Sequence, residues 1–197
     1  MTSAPYAGLS VEQWEQRTRE LIAEHPLSSN EIHEVVNSVW TDIFQSKIGS
    51  KPFQIGIDIF PSPQIMGYLL HELVPLEFAH RYPVQWRRDQ TATEADLVYI
   101  PDQSYSIEMK TSSHRRSIFG NRSYTQETST TKKTKTGYYL AINFGKFGVA
   151  AQPSIAQIRF GWLDHSDWIG QSASSGQQAR LTPEADKYKL LKLPLDG

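Results

Sequence analysis

The hydrophobic pattern changes period once along this chain, at Pro83, and that single change restricts the folds open to it. Before Pro83 the apolar residues recur at helical spacing. Ser10 and Gln13 form a capping box ahead of Val11, Trp14, Leu21 and Ile22, a pattern that Pro26 stops. A second box, Ser28 with Glu31, opens a stronger stripe of Ile32, Val35, Val36, Val39, Trp40, Ile43 and Phe44 that closes near Gly49. A third helix begins at Ser62-Pro63 and carries Ile65, Met66, Leu69, Leu70 and Leu73, with Pro75 expected to end or kink it. After Pro83 the pattern alternates. Val84 and Trp86, then Ala95 to Ile100, then Tyr105 to Thr111, read as an antiparallel meander. Tyr138 to Gly148 and Ile155 to Leu163 add two further strands. The stretch from Ser112 to Gly137 is polar and basic, Ser172 to Gln178 reads as a flexible loop, and Leu181 to Leu195 fits a short helix or a strand equally well. No internal repeat is present. Helices followed by strands imply an α/β fold, one central mixed β-sheet flanked by α-helices. The length of 197 residues fits a single domain over 1–197, with N-terminal helices at 10–45 and a core at about 61–165.

Composition enters mainly by exclusion. With no cysteine, the chain has no disulfide framework, no thiol nucleophile and no thiolate-ligated metal, so any metal must sit on oxygen or histidine nitrogen. The six histidines, at 25, 33, 71, 80, 114 and 165, show neither HExxH nor close paired spacing, which argues against a histidine zinc site. Gly145 and Gly148 lack a phosphate-loop pattern and read as turn residues. Trp40, Trp86, Trp162 and Trp168 lie outside the basic stretch and are expected in packing. No basic cluster followed by an apolar run marks Met1 to Leu9, and no run of ~18 apolar residues could span a bilayer, so a cytoplasmic protein without membrane contact is expected.

The chemistry concentrates between Glu94 and Lys110. If Pro101 to Gln103 form a three-residue hairpin turn, Ile100 faces Ser104, Val98 faces Ser106 and Asp96 faces Glu108, with Lys110 two residues on along the same face. The opposite face then carries Leu97, Tyr99, Tyr105, Ile107 and Met109. A slip of one residue would break both faces, so the hydrophobic pattern itself supports the register. Two opposed carboxylates with Cβ atoms about 5 Å apart suit a hard divalent cation such as Mg²⁺. Such an ion polarises a phosphodiester, and Lys110 beside it can position water or stabilise charge on a five-coordinate phosphorus.

The residues that follow are strongly basic. From Lys110 to Lys135 there are seven cations (Lys110, Arg115, Arg116, Arg122, Lys132, Lys133 and Lys135) against one acid, Glu127, so this stretch carries +6 and the rest of the chain −7. Phe119, Asn121, Ser123, Tyr124 and Gln126 are interleaved with them. Cations for phosphate and amides for base edges are what duplex recognition requires. His114, adjoining Arg115 and Arg116, is placed to touch a phosphate. A solvated charge run is the ordinary alternative, which the neighbouring carboxylates disfavour.

Asp96, eleven residues, then Glu108-Met109-Lys110 resembles the signature of the PD-(D/E)XK nucleases. Ser106 to Ser113, with Ile118-Phe119-Gly120-Asn121-Arg122-Ser123-Tyr124, resembles the ScaI-type type II restriction endonucleases. Pro63 to Met66, His71-Glu72-Leu73 and Lys132-Lys133 with Lys135 extend the resemblance over almost the whole chain, most densely from Pro61 to Phe144. It implies a restriction-endonuclease-like core and a Mg²⁺-dependent homodimer that cuts both strands of a short palindrome in double-stranded DNA, leaving 5′-phosphate and 3′-hydroxyl ends. It also implies metal binding by Asp96 and Glu108, a catalytic Lys110, and a further carboxylate from the preceding helix, Glu72 first and Glu77, beyond Pro75, second. DNA contacts are expected from His114, Arg115, Arg116, Asn121, Arg122, Ser123, Tyr124, Gln126, Lys132, Lys133 and Lys135. The host must protect its own DNA, which implies a cognate methyltransferase. If specificity follows the resemblance, the target is AGTACT, cut to blunt ends. One departure is visible: Ala95 stands where the motif has proline. Two alternatives are a structure-specific nuclease on the same scaffold and a DNA-binding protein in which the triad is only an ion-pair network.

Overall fold

A computed structural model describes residues 4–126, 134–148, 152–173 and 175–193. Helix α1 (Val11–Glu24) begins where the Ser10 amide donates to Gln13 Oε1 at 2.9 Å. Helix α2 (Ser29–Gln45) is capped reciprocally by Ser28 and Glu31. It buries Ile32, Val35, Val36, Val39, Trp40, Ile43 and Phe44, the stripe read from the sequence. A short hairpin follows, β1 (Lys47–Ile48) and β2 (Phe53–Gln54), turning through Gly49 at φ +82°. Helix α3 (Pro63–Arg81) then crosses the sheet. It continues past Pro75, where the sequence pattern predicts an end or a kink, so the helix does not end there. A proline removes one helical hydrogen bond, and here Val74, Pro75 and Phe78 are all buried, so packing against the core offsets that loss and the helix goes on.

The central sheet has six strands in the order β11-β8-β7-β5-β4-β3. They are β3 (Trp86–Arg88), β4 (Leu97–Tyr99), β5 (Ile107–Ser112), β7 (Gly137–Phe144), β8 (Ile155–Leu163) and β11 (Leu190–Lys192). Among the described residues of this sheet only β5 and β7 pair in parallel, so the sheet is mixed as expected. Val84 is not in a strand. It lies in the turn before β3 and is 80% exposed. The ambiguous C-terminal stretch holds both elements, α4 (Pro183–Tyr188) and β11.

Side-chain alternation sorts the sheet into two faces. Ile107 and Met109 of β5, with Tyr138, Leu140, Ile142, Ile158, Phe160 and Trp162 of β7 and β8, meet the helices α1 to α3 in the main core. Helix α3 comes close to β5 at Gly67, where a Cβ would fall 2.8 Å from Thr111 Oγ1. His25, just past α1, closes one end of this core among Trp86, Tyr105, Tyr138 and Phe160. Its Nδ1 accepts from Leu27 N at 3.1 Å, so Nε2 carries the proton toward the Tyr105 carbonyl at 3.0 Å. Burial holds this ring neutral and depresses its pKa to about 4.

The second face carries Glu108 and Lys110 of β5 beside Tyr139 and Ala141 of β7. It is covered by a smaller sheet of order β6-β10-β9, formed by β6 (Phe119–Asn121), β9 (Trp168–Gly170) and β10 (Gln178–Leu181). Ile118, Tyr124, Trp168, Ala179, Leu181 and Ala185 seal the layers. The loop read at Ser172 to Gln178 is therefore the turn between two strands, and its last residue opens β10. Among the described residues no helix is long and apolar enough to cross a membrane.

Candidate active site

The predicted register between β4 and β5 holds at its one ladder pair, Leu97 with Ile107. The turn does not. Instead of a three-residue hairpin loop, residues Gln103–Tyr105 form a 3₁₀ turn capped by Asp102, and Ile100 pairs its amide with Gln85 O. Here Asp102 satisfies Ser104 N and Ser106 Oγ accepts from Tyr99 N, so side-chain bonds stand where ladder bonds would.

Beyond Leu97 the two strands separate. Asp96 lies just outside β4, and its Oδ2 accepts from Met109 N at 2.7 Å, a position that a main-chain carbonyl would fill in a continuous ladder. The carboxylate thus sits at the fork, against the residue between Glu108 and Lys110. His71 Nδ1, from α3, lies 3.8 Å from the same Asp96 oxygen. Glu94, two residues earlier, is bound by Arg87 (3.0 Å from Nη1 to Oε2) and by the amides of Gln90 and Thr91. Those bonds, the Arg87 contact above all, hold its carboxyl down to about 2.

Glu108 is 7% exposed. Its Oε1 accepts from Lys110 Nζ at 2.7 Å and from the Tyr124 hydroxyl at 2.5 Å. Lys110 Nζ also donates to the Met109 carbonyl at 2.9 Å. The Tyr124 ring lies under two ammoniums, with Lys110 Nζ 4.8 Å and Lys135 Nζ 4.4 Å from its centroid. Its place is set from below by Gly120, where a Cβ would stand 3.0 Å from Tyr124 Cγ and 3.2 Å from the Trp168 ring. Lys135 is held through its carbonyl, which accepts from Tyr139 OH at 2.8 Å. A cavity of about 300 Å³ opens beside Glu108, lined by Glu94, Ala95, Val98, Ser106, Lys135 and Tyr139 among others.

The structure therefore brings Asp96, Glu108, Lys110, Tyr124 and Lys135 together. Glu72 is turned to Arg88 at 2.7 Å, on the strand beside Asp96, and Glu77 is bound to Arg81 within α3 rather than lying beyond the helix. His71 is the α3 side chain that faces Asp96, and sequence reading set it aside with the other histidines. It stands one helical turn after Gly67, where α3 approaches β5, so both lie on the face turned to the sheet.

The basic residues divide by burial. Tyr124 is 6% exposed and faces Glu108, and Arg122 Nη1 is bound to the carbonyls of Ala173 and Gly176. His114, Arg115, Arg116, Asn121, Ser123 and Gln126 are exposed. The loop from His114 to Ser117 is anchored from beneath. Buried Asn143 donates to His114 O at 2.8 Å and Ser117 O at 3.0 Å, while Gln157 Nε2 and Arg159 Nη2 both donate to Arg116 O. Lys132 and Lys133 lie outside the described residues.

The donor set suits a small hard cation. Asp96 and Glu108 offer carboxylate oxygens, and Mg²⁺ is commonly held by one or two carboxylates with water and phosphate completing the shell. Among the described residues no group of three or more histidine, cysteine or acidic side chains gathers around a metal position, so the protein side would offer the two carboxylates and leave the rest of a shell to water and phosphate.

A mixed sheet flanked by helices, with acids and a lysine where two strands part, is a restriction-endonuclease-like core. The family model described as ScaI restriction endonuclease matches residues 4–194. The chain is also 47% identical to the type II restriction enzyme ScaI of Streptomyces caespitosus over 199 aligned positions, covering 100% of this chain and 87% of that protein. The protein belongs to the ScaI restriction endonuclease family, and by class it is a type II site-specific deoxyribonuclease.

Proposed function

We propose that this protein, acting as a single nuclease domain over 1–197, uses Mg²⁺ to hydrolyse both strands of a short palindrome in double-stranded DNA, leaving 5′-phosphate and 3′-hydroxyl ends. The observation that carries this reading is the convergence on Met109: Asp96 holds its amide, Lys110 holds its carbonyl, and Glu108 precedes it. Asp96 and Glu108 would hold the ion. Glu72 is the third carboxylate of the proposal and would exchange its pair with Arg88 to reach the site.

Bound Mg²⁺ supplies polarisation of the phosphodiester and a lowered pKa for water. The chain's own groups do the rest. Water attacks phosphorus, the bond to the 3′ oxygen breaks, and the 3′ oxygen leaves as a hydroxyl once protonated. Lys110, already oriented by Glu108 and the Met109 carbonyl, orients the water and stabilises charge on the phosphoryl oxygens. The anchored loop with His114, Arg115 and Arg116 supplies phosphate contacts, and Lys132, Lys133 and Lys135 are proposed as further cations for the same backbone. A palindrome is read by twofold symmetry, so two copies of the chain act together, each cutting one strand. A methyltransferase of the same specificity protects the host DNA.

The test is to incubate the protein with a plasmid carrying AGTACT, with Mg²⁺ or with EDTA, alongside Lys110→Ala, and to sequence the product ends. Discrete fragments sharing one palindrome, lost with EDTA and in the variant, are expected. A plasmid left intact by the unchanged protein in Mg²⁺ would remove the proposal.

A further inference from the structure

The smaller sheet does more than cover the catalytic face. In β6 and β10, Asn121 pairs with Gln178 and Phe119 with Arg180, while Ala179 is buried against the core. Gln171, just past β9, takes the next position in the row: its main-chain amide donates to Gln178 O at 2.9 Å, and its side-chain Nε2 donates to Gln178 Oε1 at 3.4 Å. Strand alternation therefore places Asn121, Gln178 and Gln171 in one transverse row on the outer face, all exposed, with Arg180 in the row beside it. Gln177 stands at the end of the same turn. An open groove of about 430 Å³ runs from Lys110 and Tyr124 to these amides, so the row and the candidate catalytic lysine share one surface.

The turn bearing the glutamines is tied down. Arg122 Nη1 donates to the carbonyls of Ala173 and Gly176, and Arg122 N donates to Gln177 O at 2.7 Å. This arginine, expected at DNA, also holds the turn that bears the amides.

We propose that the β6–β10 ribbon and its adjoining turn form the sequence-reading face of the enzyme, with Asn121, Gln178 and Gln171 recognising adenine edges in the major groove. This inference rests on the nuclease reading above and extends it from chemistry to specificity. Amide side chains form paired hydrogen bonds with adenine N6 and N7, and the major groove admits a two-stranded ribbon. Arg180, one row away, is the matching partner for guanine O6 and N7. Uncharged amides beside a basic loop divide the work in the usual way, phosphate contacts setting position and base edges setting sequence.

The test uses the full chain with Mg²⁺ on a library of randomised duplexes, sequencing the product ends for the unchanged protein and for Gln178→Ala and Gln171→Ala. The unchanged protein should return one consensus. Each variant should accept other bases at a position where adenine was required, with discrimination there reduced about tenfold or more. Replacing that adenine by 7-deazaadenine should slow the unchanged protein similarly and slow the corresponding variant no further, because the same contact has been removed twice. Melting temperature and affinity for a non-cognate duplex serve as folding controls. Variants that keep the original consensus and its 7-deazaadenine sensitivity would overturn the inference while leaving the nuclease reading intact. A library left uncut by the unchanged protein would overturn both.

Discussion

The Tyr124 hydroxyl lies 2.5 Å from Glu108 Oε1, closer than Lys110 Nζ at 2.7 Å, so the buried carboxylate is oriented by a phenol from outside the sheet as well as by its own strand. A hydrogen bond to a charged group contributes about 1.5–3 kcal/mol. Tyr124→Phe keeps the ring between Lys110 and Lys135 and removes only this donor. Cleavage should fall on the order of tenfold or more while metal-free DNA binding stays nearly constant, which kinetics and a gel shift would separate. A variant with full activity would show that the phenol has no part in positioning Glu108.

Lys110 and Glu108 should be dispensable for binding but not for cutting. Lys110→Ala is expected to lower cleavage by at least about a hundredfold, the scale set by loss of one group stabilising transition-state charge. For Glu108 the better probe is Glu108→Gln. Alanine there would strand a mostly buried ammonium without its carboxylate, a loss of several kcal/mol in such pairs, whereas glutamine keeps an acceptor for Lys110 and Tyr124. Glu108→Gln should bind a cognate duplex as tightly as the parent or tighter, since negative charge near phosphate is gone. Nitrocellulose filter binding beside a cleavage assay measures both.

His25 makes the fold sensitive to acid. Its folded pKa of about 4 lies below the ordinary value of 6.5, so the unfolded chain binds the proton more readily. Stability from this group is complete above pH 6.5 and is lost as pH falls toward 4, by about 3 kcal/mol in all. Urea midpoints measured across that range should fall with acid for the parent. His25→Phe should be less stable at neutral pH, because Tyr105 O and Leu27 N lose their partner, yet show a shallower slope. Asp167 and other groups titrate in both proteins and cancel in the difference.

Asn143 should matter to DNA binding without approaching DNA. Asn143→Ala removes both donors that hold the carbonyls of His114 and Ser117, and leaves those carbonyls to solvent or strain. A loss of about 1–3 kcal/mol in stability is expected. Affinity for any duplex should fall, since Arg115 and Arg116 lose their fixed presentation, and amide exchange of residues 114–117 should quicken. Unchanged exchange in the variant would mean that Gln157 and Arg159 suffice to hold the loop.

How much of this was legible in the sequence depends on the range of the interaction that fixed it. The α2 stripe and the Leu97–Ile107 register were readable because each is enforced by a local two-faced pattern. Pro75 misled, because burial of Val74 and Phe78 outweighs one lost helical bond. The β6-β10-β9 sheet stayed hidden. Its strands have only three or four residues, too few to show an alternating pattern, and β6 finds its partner more than fifty residues along the chain. At the site, Asp96, Glu108 and Lys110 sit in one short run, whereas His71 and the role of Tyr124 arise from α3 and from the covering layer. Arg122 was recognisable as a cation, but its target, two carbonyls of a distant turn, was not.

The parallel pairing of β5 with β7 has one more consequence. Two adjacent parallel strands cannot be joined by a tight turn; a connection of a dozen residues or more must carry the chain back to the starting end of the sheet. Here that return path leaves directly from the strand bearing Glu108 and Lys110 and carries the His114–Ser117 loop, β6 and Tyr124 along the way. Both ends are fastened to the two central strands, and Tyr124 turns back from the path onto Glu108. Changes in that span therefore act on two things at once, because the candidate DNA-contact loop at His114–Ser117 and the phenol that orients Glu108 hang on the same return path, so a new target can be reached only by changes that keep Tyr124 in place.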